Sequence, residues 1–141
     1  MDAKRLVIGA VVGTVVQILF GYLIFQFLFG SFYDANLTAA AGLMRETPLI
    51  WPVVLGSLAL ALLVTLAIEK AGADSLLEGF KVGATVGFLV WFGVHFLMYS
   101  SMELVNPKVL IVDPLLELIR TGITGAIIGL VLARLTKTEP A

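Results

Sequence analysis

No cysteine occurs anywhere in the chain, and there is a single histidine, His95. Disulfides, thiol chemistry and thiolate metal sites are therefore excluded, and one imidazole cannot build a conventional zinc centre. Charge is scarce as well. Nine Lys and Arg against ten Asp and Glu leave a net charge of −1 and a charged fraction of only 13%, which argues against a nucleic-acid partner, since that needs a concentrated basic patch. HExxH, GxSxG, GxxxxGK(S/T) and GxGxxG sequences are all missing. With them goes any motif-level signal for metalloprotease, serine hydrolase, P-loop or dinucleotide chemistry. The chain reads as non-enzymatic.

What is present is apolar. Hydrophobic residues make up 60% of the 141 and the mean hydropathy is +1.05, far from the soluble average of roughly half apolar and a quarter charged. Leu6–Tyr33, Thr47–Ile68 and Val82–Met102 contain no charged residue, and each exceeds the roughly 18 residues that mark a spanning helix. A fourth block, Pro114–Ala133, is long enough but carries Glu117 and Arg120. The expected fold is all-α: one integral membrane four-helix bundle filling residues 1–141, with spans at about 4–29, 49–69, 76–101 and 114–135. The segment Met1–Arg5 resembles the positive start of a signal peptide. The apolar run after it exceeds the usual roughly 7–15 residues, so a retained first helix is expected.

Punctuation along the chain supports these spans. Thr47 and Pro48 read as a cap and first-turn proline for the second span, and Glu69 to Gly72 close it. Ser75 and Glu78 form a capping box for the third. Asn106-Pro107 reads as a turn, Lys108–Val112 as a short interfacial piece, and Asp113 as the cap of a fourth helix beginning at Pro114. The loop 31–48 has room for a short surface helix. Lys4, Arg5, Lys70, Lys81, Arg134 and Lys137 fall on one side, and only Arg45 and Lys108 on the other. The positive-inside rule then places both termini in the cytoplasm.

Small residues recur at four-residue steps on three helices. Gly9, Gly13 and Gly21, with Gln17 at the remaining step, share one face of the first; Gly79, Gly83 and Gly87 do so on the third; Gly125 and Gly129 follow Thr121 and Glu117 on the fourth. Such faces let backbones approach closely in lipid. The first, third and fourth helices are expected to pack through them, leaving the second largely to lipid. Setting Gly9–Gly13 over Gly83–Gly87 aligns Val16 with Val90 and Leu23 with Leu97, a two-hairpin internal repeat.

The candidate site is a polar intramembrane cluster of Gln17, His95, Glu117 and Arg120. A charge inside a span costs from about 2.5 kcal/mol upward unless it finds a partner or a wet cavity, and marks a functional position by default. Glu117 and Arg120, three residues apart, can pair. With a helix start at Asp113 they fall in its outer third, which makes a polar patch at the outer mouth of the bundle. The pair then serves one of three ends: orientation of the helix, contact with another subunit, or binding of a substrate or ion. His95 either hydrogen-bonds to Glu117 or Gln26, or ligates a haem or chlorophyll-type pigment through one axial bond. Trp91 reads as ordinary packing. No metal and no other cofactor is expected.

The stretch AGADSLLEGFKVGATVGFLVWFGVHF, Ala71–Phe96, and the ending GAIIGLVLARL, Gly125–Leu135, resemble a family of small four-span bacterial inner-membrane proteins of unknown function. The resemblance covers about two thirds of the chain and implies a fold without an activity. It fails at Pro114–Arg120, where that family more often has a neutral run with aromatic and histidine residues. Three functions remain open at this point. The first is a homo-oligomer or accessory subunit of a larger membrane complex, with the lipid bilayer and itself or another membrane protein as partners. The second is a small transporter or channel using the polar cluster, and the third is pigment binding at His95.

Overall fold

A computed structural model describes residues 2–36, 45, 47–102 and 106–138. Among these described residues five α-helices follow in order: α1, Ala3–Gly21; α2, Gly30–Asn36; α3, Ile50–Ala71; α4, Leu76–Tyr99; and α5, Pro107–Thr138. A π-helical segment, Tyr22–Leu28, extends α1 without interruption. Among the described residues four helices are long and apolar enough to cross a membrane, namely Ala3–Leu28, Ile50–Ala71, Leu76–Tyr99 and Pro107–Leu135. Their outward faces are apolar: Val11, Leu19, Phe27, Leu55, Leu89 and Leu97 are all more than half exposed. In water such a surface would be untenable, whereas in a bilayer it is the solvent-facing side. The protein is an all-helical multi-pass membrane bundle.

The helix boundaries follow local chemistry. Asp2 caps α1 through the Lys4 amide at 3.0 Å. Gly72 ends α3 at φ +63°, a left-handed position that glycine takes without strain. Ser75 caps α4 through the Glu78 amide at 3.3 Å, while the Glu78 carboxylate reaches the Asp74 amide rather than that of Ser75. The second span differs from expectation. Its cap is Leu49, its first residue is Ile50, and Pro52 is the proline of its first turn, so Thr47 and Pro48 lie outside it. Of the loop 31–48, the first part is helical as α2; residues 37–44 lie outside the described set.

The larger correction concerns the last helix. It does not start at Asp113 but runs unbroken from Pro107, with Pro114 inside it, so Lys108–Val112 is part of the span and not a separate interfacial piece. Asn106 supplies the cap: its Oδ1 accepts from the Lys108 amide at 2.7 Å. Asn106 is itself held to Asn36 through its side-chain amide at 2.8 Å and its backbone amide at 3.3 Å. Two Asx-Pro pairs seven residues apart carry the same local signal, and the tie to Asn36 favours the earlier one. Pro114 has no N–H for the carbonyl one turn back, a loss that spanning helices tolerate when packed. Pro114 is fully buried.

Packing arranges the spans as two antiparallel pairs. In the α4–α5 pair the backbones nearly touch: a Cβ on Gly83 would lie 3.0 Å from the Gly125 Cα, and one on Gly129 would lie 3.2 Å from the Gly79 Cα. Any larger residue would force these helices apart. In the other pair, α1 sets Gly9 against Thr65 and Gly13 against Ala61 of α3, with Ile128 of α5 also 2.8 Å from a Gly13 Cβ. The second span therefore supplies the main partner of the first helix's glycine face. Its remaining surface is outward, and only Ala61, Val64, Thr65 and Ile68 of it are buried.

The interior divides along its length. Toward the termini, Val64, Ile68, Ala73, Ile128 and Leu132 form an apolar core with Val82, Val86 and Leu135 against it. That end is clamped by Arg5, which binds Glu69 Oε1 through Nε and Nη2 at 2.9 and 2.7 Å and the Leu132 carbonyl through Nη1 at 3.0 Å. Toward the opposite end the interior becomes polar.

Candidate functional site: a buried ionic network at the centre of the bundle

Asp113, Glu117 and Thr121 lie at successive four-residue steps on α5, on the face turned into the bundle, and all three are buried. Arg120 reaches back to this face and donates to Glu117 Oε2 from Nε at 3.0 Å and pairs through Nη2 at 2.9 Å. Thr121 Oγ1 donates to the same oxygen at 3.5 Å and accepts from the Gln17 side-chain amide at 3.4 Å. These last two bonds are long and add little. One turn away, Asp113 Oδ2 meets His95 Nε2 of α4 at 2.7 Å, and Asp113 Oδ1 accepts from the Tyr33 hydroxyl of α2. Burial and the Asp113 carboxylate push the Tyr33 hydroxyl above its ordinary pKa, so it stays protonated and remains a donor.

The π-helical segment fits this arrangement. Its wider turn, closed by the Phe29 amide on the Ile24 carbonyl at 2.9 Å, carries Phe25, whose ring lies 5.3 Å from the Arg120 guanidinium carbon and 5.6 Å from the Tyr33 ring. Irregular turns of this kind recur at functional positions. Just before it, Gly21 leaves room for the guanidinium: a Cβ there would sit 2.8 Å from Arg120 Nη1.

All four residues of the expected cluster thus occur in one region. Arg120, Glu117 and His95 border the same cavity of about 310 Å³, and Gln17 joins through Thr121 and borders a second cavity of about 300 Å³ that also contains Arg120. The partner of His95 is neither Glu117 nor Gln26 but Asp113. Three contributors escaped the sequence reading: Asp113, Tyr33 and Trp91. Asp113 was legible in principle, because it stands four residues before Glu117 on the same face; the following proline made it look like a cap. Nothing local distinguishes Tyr33 from its aromatic neighbours. Trp91 lines the 310 Å³ cavity, and its buried Nε1 has no hydrogen-bond partner among the described residues.

The depth of the charges is also different. With α5 starting at Pro107, Glu117 and Arg120 lie about 15 and 20 Å along the helix at roughly 1.5 Å per residue, near the middle of the Pro107–Leu135 span. They form an interior network rather than a patch at a mouth. Among the described residues no group of three or more His, Cys, Asp or Glu is placed to hold a metal ion. Comparison with protein-family models, curated proteins and solved structures gave no match.

Proposed function

We propose that the protein is a small transporter or channel in which Asp113, Glu117, His95 and Arg120 handle a proton or a small cation. One observation carries this reading: Arg120 borders three cavities, of about 550, 310 and 300 Å³, that open between different helices. An ion pair that only orients a helix has no need of adjoining space, and these volumes reach the range of small-molecule sites, roughly 300–1,000 Å³. The charge count gives the sign. Two carboxylates face one guanidinium, so with His95 neutral the network is one positive charge short, and a proton on His95 or an entering cation balances it. Gln17 and Thr121 extend the polar path toward α1. In this reading the termini face the cytoplasm of a bacterial cell, as the Lys and Arg distribution favours.

The test is flux in proteoliposomes under a pH or cation gradient. Asp113→Asn and Glu117→Gln should each reduce flux at least about tenfold, the factor that about 1.4 kcal/mol produces. Flux equal to the wild type in both variants, or none in the wild type above protein-free liposomes, rejects the proposal.

Assembly into a homo-oligomer, or as an accessory subunit of a larger membrane complex, is a second proposal. Its support is Gly93, which faces open space with nothing within 4 Å of an added Cβ. Native mass spectrometry from membranes reports the stoichiometry, and a monomer with no co-purifying protein rejects it. Pigment ligation by His95 has weaker support, because Nε2 is already held by Asp113. The absence of any visible absorption band ends it.

A further inference from the structure

Gln17 is 1% exposed, and the two ends of its amide are placed differently. Nε2 donates to Thr121 Oγ1 at 3.4 Å, while Oε1 has no hydrogen-bond partner among the described residues. A buried acceptor left empty costs stability that an apolar side chain of the same length would not. Gln17 and Arg120 border the same cavity of about 300 Å³, between α1 and α3. Gly21 stands one turn beyond Gln17 on the same face of α1. Arg120 Nη1 already lies over that glycine, 2.8 Å from where a Cβ would be.

We propose that Gln17 is a positioning residue, the second seat of the Arg120 guanidinium: when a proton or small cation takes Glu117, Arg120 crosses Gly21 and donates to Gln17 Oε1. This rests on the reading of Glu117 as an ion-handling group and gives that group its mode of exchange. Glu117 Oε2 receives Nε and Nη2 of Arg120 at 3.0 and 2.9 Å, so an incoming proton or cation competes with the guanidinium for that oxygen. Two positive groups on one carboxylate repel strongly in a low-dielectric interior. The displaced guanidinium cannot shed its charge, and inside a span it needs another acceptor. Gln17 Oε1 is the buried acceptor that stands empty. Being neutral, it binds a guanidinium less strongly than a carboxylate does, so it holds Arg120 only when Glu117 releases it. Thr121 joins the two seats, its Oγ1 lying 3.5 Å from Glu117 Oε2 and 3.4 Å from Gln17 Nε2. The absence of a side chain at Gly21 keeps the way between them open.

The experiment uses the full chain with Gln26→Met, a change on an exposed residue that leaves Gln17 as the only glutamine. The carbonyl carbon of the Gln17 side chain and the arginine guanidinium nitrogens are isotope-labelled, and their dipolar coupling is measured in lipid bilayers by solid-state NMR. With Glu117 intact the coupling should be weak, and with Glu117→Met it should rise severalfold. Where that variant does not fold, Glu117→Gln takes its place, the introduced amide being told apart by its own resonance. No rise in a folded variant, or a coupling equally strong with Glu117 intact, overturns the proposal. Gln17→Met removes an empty acceptor and should melt no lower than the wild type. In proteoliposomes it should nevertheless raise the half-saturating proton or sodium concentration for flux at least about tenfold; an unchanged half-saturation overturns the proposal as well. A rise in coupling in a protein without flux retains the second seat and rejects transport. Flux that is lost in Glu117→Gln while the coupling never rises retains transport and rejects the second seat.

Discussion

His95 Nε2 lies 2.7 Å from Asp113 Oδ2, across the interface between α4 and α5. The second oxygen of the same carboxylate takes the Tyr33 hydroxyl, so one side chain joins α2, α4 and α5. A carboxylate suits this position because it accepts on both oxygens, and bonds to an ionised acceptor are about twice as strong as neutral ones.

Replacing that carboxylate tests the joint. Asp113→Asn replaces two ionised acceptor oxygens by one neutral acceptor and one donor, and because bonds to a neutral group are about half as strong the joint should weaken by about 1–3 kcal/mol. Thermal unfolding in mild detergent should drop accordingly, while Asp34→Asn, on an exposed residue of α2, should melt as the wild type does. Equal melting of the two variants would show that Asp113 carries no such role.

Pro114 separates the two accounts of the last helix. If Asp113 were the cap, Pro114 would occupy a favoured first position and Pro114→Ala would be neutral or harmful. Inside the continuous helix Pro107–Thr138, alanine restores a backbone hydrogen bond, and the gain is up to about 3 kcal/mol, less any strain from repacking. A higher melting temperature, together with slow exchange of the backbone amide that the substitution introduces at position 114, is the expected outcome.

The Glu117–Arg120 pair should behave as a unit. Removing either partner of a buried pair leaves an uncompensated charge and costs about 3–5 kcal/mol, whereas removing both avoids that penalty. Glu117→Gln and Arg120→Gln are therefore each expected to be strongly destabilising, and the double variant less so than the sum of the singles. Strict additivity in a double-mutant cycle would mean that the two groups do not interact.

Tyr33 imposes a pH dependence. Its pKa in the folded protein is raised above the ordinary value of 10.0, first by burial and then by the Asp113 carboxylate. The unfolded chain therefore releases this proton at lower pH than the folded one. The stability it contributes is complete below about pH 10 and is lost as pH rises beyond that. The wild type should lose melting temperature between about pH 9.5 and 11 more steeply than Tyr33→Phe. Parallel curves would place Tyr33 in contact with solvent.

Much of the architecture follows from residues taken in order. Long uncharged runs cannot be soluble, and a spanning segment must satisfy its own backbone, so four helices and their approximate limits are fixed before any contact is known. Gly72 and Ser75 mark ends by local backbone and side-chain chemistry alone, and the stepwise glycines of α1, α4 and α5 mark the faces that meet other helices. Those are properties of a few neighbouring residues. The choice between Asn106-Pro107 and Asp113-Pro114 is not, because both dipeptides satisfy the same local rule. Contacts from distant parts of the chain decide it: Asn36 holds Asn106, while Tyr33 and His95 hold Asp113. The shift of seven residues carries Glu117 and Arg120 from a boundary to mid-span. The pairing of Gly9 with Thr65, rather than with another glycine face, and the cavities that converge on Arg120 likewise depend on how separate helices are placed against one another, which the periodicity of a single helix does not encode.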